Sequence, residues 1–259
     1  MSNVAKGKAL TGEDGKDWYV AGESQIHFFP KPKRLLWTVG KKIMLDVEAW
    51  GGQKAVPHHH YRYDPIDQGM RPRLTTPGIY VISGWAPYRT QSWDLSRIPW
   101  GTELRLDATG RHLLYKTGLS SHPWRPLESI IPGATVAFVR REFEALWGGN
   151  RRYDRDGDGV PEAWVLNDFG PVAINYFRDL NRNRKLDVGE RVMGEMIHTT
   201  PDNQGQTDQG VAVEMGYSHG CIHVRPADLT RLLSVGAFKV GELLVVHGLD
   251  EIVWEDLQP

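Results

Sequence analysis

Short apolar runs, broken at close intervals by glycine and proline, constrain this chain more than any other feature. β-Branched and aromatic residues gather between Leu35 and Val47, then at Gly78 to Ser83, Leu104 to Leu106, Leu113 to Tyr115, Thr135 to Val139 and Leu243 to His247. Between them stand Gly51-Gly52, Pro77-Gly78, Pro132-Gly133 and Gly148-Gly149, residue types that supply the backbone angles of turns. Such runs read as strands rather than helices. One segment differs: after Pro226, Ala227 to Leu233 sets Leu229, Leu232 and Leu233 at helical spacing, with Asp228 in the first turn and Gly236 near the end. The expected fold class is mainly β with few helices.

A chain of 259 residues, 40% of them hydrophobic, can bury a sizeable core as one large domain or two small ones. Its 32 acidic and 31 basic residues nearly cancel, so no overall field draws it to nucleic acid, and no nucleic-acid partner is expected. No stretch approaches the length and apolarity of a transmembrane segment, and the polar start from Met1 to Trp18 lacks the apolar core of a secretory signal. The chain is expected to be soluble. Residues 1–33 read as an N-terminal extension or first edge strand, 34–250 as one domain with an insertion at about 148–192, and 251–259 as a tail. His58, His59 and His60 read as a surface turn, because adjacent side chains on an extended segment point to opposite faces. Among ten tryptophans, Trp85, Trp93, Trp100 and Trp124 lie in turn-rich sequence and are candidates for the rim of a cleft.

The single cysteine excludes an internal disulfide. A free thiol on its own reads as a small buried apolar side chain. Its neighbours argue otherwise: Gly216-Tyr217-Ser218-His219-Gly220-Cys221-Ile222-His223-Val224-Arg225-Pro226-Ala227-Asp228 leads into the predicted helix. A thiolate is the nucleophile, and imidazoles or a helix N-terminus nearby lower a thiol's pKa, so Cys221 is expected to be activated. Gly220 leaves room for a carbonyl to reach the sulfur and for backbone N–H groups to meet an oxyanion.

The run Ser218-His219-Gly220-Cys221, followed by an apolar residue and then Pro226-Ala227-Asp228, resembles the signature of YkuD-type L,D-transpeptidases. Leu74-Thr75-Thr76-Pro77-Gly78-Ile79-Tyr80-Val81-Ile82 is similar to that family's threonine-proline-glycine strand. Gly194-Glu195-Met196-Ile197-His198-Thr199 is similar to the strand ending in its catalytic histidine, and Gly241 to Gly248 to its closing strand. The resemblance spans roughly residues 35–248. It implies a YkuD-like β-sandwich, with Cys221 as nucleophile, His198 as general base and the backbone carbonyl of Thr199 orienting that imidazole. It places His219 and Gly220 in the catalytic site, and Tyr217, Ser218, His223 and Arg225 along the substrate. Many members carry arginine where this chain has His223, and Arg225 is the cation that could reach a substrate carboxylate instead. The stretch between His198 and Cys221 is longer than usual, and Asp202, Asn203, Gln204, Gln206, Asp208 and Gln209 make it a polar loop on the acceptor side.

Two acidic runs are unlike anything thiol chemistry needs. In an EF-hand-like calcium loop, oxygen ligands fall at positions one, three, five, nine and twelve, with a backbone carbonyl at seven. Counting from Asp179 gives Asp179, Asn181, Asn183, Lys185 through its carbonyl, Asp187 and Glu190, with Arg184 at the sixth position where glycine is usual. Asp154, Asp156 and Asp158 start a second match, continued by Glu162, but position twelve is Val165. Structural Ca2+ is the expected cofactor, stiffening an insertion that leads toward His198. Plain acidic turns are the alternative.

The resemblance implies peptidoglycan stem peptides as substrate. Cys221 would attack the carbonyl of the third stem residue, expel the terminal D-alanine and leave a thioester. Transfer to an amine gives a transpeptidase or D-amino-acid exchange, and transfer to water an L,D-carboxypeptidase. A non-catalytic, calcium-stabilised wall-binding module is the rival from another class. A papain-like peptidase would place its cysteine before its histidine, the opposite order. Such a substrate implies work in the periplasm or outside the cell. Without a signal peptide, the chain is expected to be either a trimmed form or a delivered antibacterial effector, the latter with secretion-machinery or immunity partners.

Overall fold

The computed structural model describes residues 22–53, 73–118, 121–254 and 257. In chain order its strands are β1 (Ser24–Phe29), β2 (Arg34–Val39), β3 (Lys42–Trp50), β4 (Gly78–Ala86), β5 (Glu103–Leu106), β6 (Leu113–Lys116), β7 (Arg125–Pro126), β8 (Ala173–Phe177), β9 (Val192–His198), β10 (Ile222–Val224) and β11 (Leu243–Val246). The helices are α1 (Val136–Trp147), α2 (Pro201–Asp208) and α3 (Pro226–Ser234). The fold is mainly β. No helix among the described residues is long and apolar enough to cross a membrane.

Eight strands form one sheet that closes on itself in the order β1-β11-β4-β8-β9-β10-β3-β2, so the two faces of the expected sandwich belong to a continuous barrel. Alternation along each strand sends Ile26, Phe28, Tyr80, Ile82, Ile174, Tyr176, Ile197, Ile222 and Val224 inward to one apolar core, closed by Leu229, Leu232 and Phe238 on and after α3. The same alternation turns Met196, His198, Cys221 and His223 to the outer face. β10 runs parallel to β9, pairing Ile222 with Ile197 and His223 with His198. A second module, with the three-stranded sheet β5-β6-β7 and α1, encloses its own core around Trp147, Trp164, Phe143 and Leu127.

Several expectations change. β1 lies in the proposed extension yet is a stave of the barrel, paired with β2 and β11. The tail also packs, with Val253, Trp254 and Leu257 against Phe29 and Leu36. Thr135 to Val139 is not a strand. Thr135 caps α1 by accepting the Phe138 N–H at 3.2 Å, and Val139, Phe143, Leu146 and Trp147 recur at helical spacing into the second core. The polar loop after His198 is helix α2, started by Thr200 accepting from Asn203 N–H and by Pro201 in the first turn. The span 148–192 is not one insertion, because β8 crosses it as a buried barrel strand. The histidines at 58–60 lie outside the described residues.

Candidate active site

The site is built on the outer face of β9 and β10, where apolar side chains from the preceding loops cover it. Cys221 stands just before β10, beside Met196, whose amide donates to the sulfur. The thiol packs with Phe169, Ala173 and Met196, alongside Tyr88 and Trp93. His198 ends β9 one pleat further along the same face, its ring 4.9 Å from that of Phe169. His223 lies edge-on to His198 at 4.8 Å, and its Nδ1 bonds the Gly216 carbonyl at 3.0 Å. His219 sits edge-on to Trp93 at 5.7 Å.

His198 is the most tightly specified of these groups. A carbonyl oxygen can only accept, so the 2.7 Å contact from His198 Nδ1 to the Thr199 carbonyl places the ring proton on Nδ1. Nε2 then carries a lone pair, and this buried nitrogen has no hydrogen-bond partner. Thr199 is itself held: its hydroxyl accepts from Gln204 Nε2 at 2.8 Å, and Gly170 packs so closely that a Cβ there would stand 3.1 Å from the Thr199 carbonyl oxygen. Burial, helped by His223, pushes the His198 pKa down to about 3, and burial takes His223 down to about 4. His219 is also lowered by burial.

The thiol departs from expectation. Burial pushes Cys221 up to about 12, opposed only in part by the Met196 amide and Arg73. The helix N-terminus does not activate it, because β10 stands between Cys221 and α3. At neutral pH the resting groups are therefore thiol and neutral imidazole, and the buried Nε2 keeps a lone pair able to accept a proton.

Ser218 and Arg225 are engaged within the protein. The Ser218 hydroxyl binds the Cys221 carbonyl and accepts the Gly220 N–H at 3.1 Å, so it shapes the turn instead of facing substrate. Arg225 is ion-paired with Glu48 of β3, Nη2 to Oε2 at 2.6 Å. Tyr217 packs on Trp50 at 4.5 Å, with Lys33 Nζ 3.2 Å above the Trp50 ring. Gly220 holds φ at 123°, a backbone conformation open to glycine. Of the four loop tryptophans, Trp93 lines the site, Trp85 is exposed on β4, Trp100 packs on Trp147 and Trp124 lies under Arg105.

No protein-family model and no curated protein matches the sequence. Among solved structures the chain is similar to an L,D-transpeptidase from Mycobacterium smegmatis at 12% identity and TM-score 0.34, covering 87% of this chain and 59% of that one. It is similar to Mycobacterium tuberculosis L,D-transpeptidase 1 at 13% identity and TM-score 0.32, covering 87% and 62%. An L,D-transpeptidase from Xylanimonas cellulosilytica gives 10% and 0.30, covering 88% and 62%. The chain thus spans about three-fifths of the length of these proteins. At these values the overlaps assign no residue of this chain a role.

The acidic runs fall in two places. In the second module, carboxylate oxygens of Asp154, Asp156 and Asp158 lie within 4.8 Å of one another. Glu162 does not join them: it accepts the Arg155 N–H at 2.8 Å and pairs with that guanidinium at 3.5 Å. The other run forms the β8–β9 connection. Asp179 accepts N–H groups from Arg182 at 2.6 Å, Asn183 at 3.3 Å and Arg184 at 2.6 Å. Asn181 Oδ1 accepts from Asn183 N–H and Asn183 Oδ1 from Lys185 N–H, while both Asn side-chain amides donate to Asp187. Glu190 closes the loop by accepting from Leu180 N–H at 2.7 Å and Asp187 N–H at 2.9 Å. Arg184, at the sixth position, takes the left-handed φ of 61° that glycine adopts there. Asp154, Asp156 and Asp158 gather carboxylate oxygens, the donor type that suits calcium, whereas the Asp179 loop's side-chain oxygens are engaged by its own N–H groups.

Sequence reasoning passed over Arg73, Phe169 and the role of Glu195. Glu195 was visible in principle, because it is a charge at an inward position of a strand whose neighbours on that face are apolar.

Proposed function

We propose that this chain is a cysteine acyltransferase of the L,D-transpeptidase kind, acting on peptidoglycan stem peptides. The observation that carries the reading is His198, fixed by the Thr199 carbonyl with a buried, unpartnered Nε2 on the same sheet face as the chain's single thiol. In the reaction, Nε2 takes the Cys221 proton as the sulfur attacks the carbonyl of the third stem residue. The tetrahedral oxyanion faces the amide beside Gly220. Collapse breaks the bond to D-alanine, whose amine leaves with the proton from His198, and a thioester remains. An acceptor amine or water then gives up its proton to Nε2 and releases Cys221.

Calcium held by Asp179, Asn181, Asn183, Lys185, Asp187 and Glu190, and by Asp154, Asp156 and Asp158, is proposed as structural. It supplies charge neutralisation to the connection feeding β9, and the chemistry needs no metal. The substrate places the enzyme on the wall side of the membrane, in the periplasm or outside the cell. Mass spectrometry of defined muropeptides after incubation with the protein tests the reading. A mass loss of one D-alanine, a cross-linked dimer or an exchanged terminal residue is expected. Intact muropeptides under all acceptor conditions would sink it.

One observation favours a second reading: a thiol held at about 12 is not activated at rest, as a non-catalytic wall-binding module would allow. A thioester captured on Cys221 by a tetrapeptide donor excludes the module.

A further inference from the structure

Beneath the Cys221 turn lies an ion pair that the mechanism above does not use. Glu195 occupies an inward position of β9 and is 1% exposed. Its carboxylate accepts the Thr76 N–H at 3.1 Å and the Thr76 hydroxyl at 2.8 Å, with the Tyr176 hydroxyl at 3.5 Å. Arg73 Nη2 stands 3.6 Å from Glu195 Oε1, and the same guanidinium donates its Nε–H to the His219 carbonyl at 3.1 Å. A Cβ at Gly220 would come within 2.8 Å of that Nε and 3.4 Å of Glu195 Cγ. The pair therefore presses on the backbone of the residue that precedes the nucleophile.

A carboxylate this deeply buried carries a desolvation cost that an apolar side chain on the same strand would avoid. What the charge adds is an electrostatic hold on Arg73, an ion pair at 3.6 Å. The consequence appears in the turn. The His219 carbonyl is taken by Arg73 and the Gly220 N–H by Ser218. The Cys221 carbonyl accepts from Ser218 Oγ and, at 3.4 Å, from Thr75 Oγ1. Both peptides flanking the Gly220–Cys221 bond are thus held. Glycine at φ 123° would otherwise leave that peptide free to turn its N–H away from an incoming oxyanion.

We infer that Arg73 and Glu195 are positioning residues, fixing the Gly220–Cys221 peptide so that its N–H meets the oxyanion; this rests on Cys221 being an acyl-transfer nucleophile. Arg73 acts through the turn and not on the substrate. The two charges also oppose each other at the sulfur, where Glu195 raises the thiol pKa and Arg73 lowers it.

The test compares the unmodified chain with Glu195→Gln, Arg73→Ala and Arg73→Lys. With a tetrapeptide donor, Glu195→Gln and Arg73→Ala are expected to lower kcat by about tenfold to a hundredfold, the cost of small misplacement in a reacting site. KM is expected to stay within about twofold, since no substrate contact is lost. Arg73→Lys, or added guanidinium ion with Arg73→Ala, recovers part of kcat. Without substrate, iodoacetamide labelling of Cys221 at one alkaline pH is expected to rise several-fold in Glu195→Gln and fall several-fold in Arg73→Ala. A raised KM with kcat retained would make Arg73 a substrate anchor and overturn the inference. Unchanged kcat, or unchanged labelling, in both variants overturns it too. If the wild type labels but transfers no acyl group, the functional reading fails instead, and the labelling rates alone decide whether the pair governs Cys221.

Discussion

Arg225 is bound to Glu48, joining the start of α3 to β3 across 177 residues of sequence. This arginine, close after Cys221 in sequence, is therefore a clasp between elements, its guanidinium already engaged by a carboxylate. Both partners are more than a third exposed, so the pair contributes about 0.2–1 kcal/mol. Arg225→Gln is expected to lower the urea midpoint slightly and to leave the donor KM unchanged. A several-fold rise in KM would restore Arg225 to the substrate.

Cys221→Ala removes the only thiol and is expected to abolish product formation while the circular dichroism spectrum stays that of the wild type. His198→Ala is expected to cost about a hundredfold or more in kcat, the worth of a positioned base. His219→Ala, whose ring packs on Trp93 and is only half-buried, is expected to cost less. The reverse ranking would move the base to His219.

Stability is expected to fall on both sides of neutrality. His27, His198 and His223 are lowered by burial from the usual 6.5 to about 3, 3 and 4, so their neutral forms stabilise the fold fully above 6.5. That contribution is lost as pH falls from 6.5 toward 3, because the unfolded chain takes up protons first. Cys221 is raised from 9.0 to about 12, so its share is complete below 9 and lost as pH rises toward 12. Urea midpoints across pH read both slopes. Cys221→Ala is expected to remove the first part of the alkaline loss and leave the later part, in which Tyr153, raised to about 12, takes part. An unchanged alkaline slope in Cys221→Ala would contradict a thiol kept neutral by the fold.

Calcium is expected to raise the melting temperature, by binding the native state, and chelator to reverse the gain. Asp179→Ala with Glu190→Ala is expected to remove most of it, and Asp154→Ala with Asp158→Ala the remainder. An identical melting temperature with calcium and chelator would leave two self-satisfied acidic loops.

Directed to the periplasm by an added signal, the wild type is expected to slow bacterial growth, and Cys221→Ala is not. Equal growth of both, with active enzyme recovered from the periplasm, would favour a housekeeping wall enzyme over an effector.

The mainly β fold was legible because alternating burial leaves its mark in sequence, and α3 because Leu229 and Leu232 sit a turn apart behind Pro226. α1 was misread, since Val136 and Val139 have β-propensity, and only the capping by Thr135 and the spacing to Phe143 and Trp147 reveal the helix. α2 was missed because it lacks an apolar stripe and is held by its cap and by polar contacts such as Asn203 to the Glu214 carbonyl. The chemical groups Cys221 and His198 were visible as motifs. The sulfur's raised pKa was not, because it arises from desolvation and from Glu195, in a cluster with Phe169 and Trp93 that only the tertiary fold assembles.

The barrel closes between β1 and β11, parallel neighbours drawn from opposite ends of the chain, with Ile26 beside Leu244 and Phe28 beside Val246. β11 also bonds β4, so no stretch lacking it can complete the sheet. During synthesis the earlier strands must therefore wait, with β1 and β4 offering open edges, until Leu243–Val246 has left the ribosome. A nascent chain that carries Cys221 and its surroundings but not β11 would leave the barrel open, and the sheet that seats the thiol unfinished.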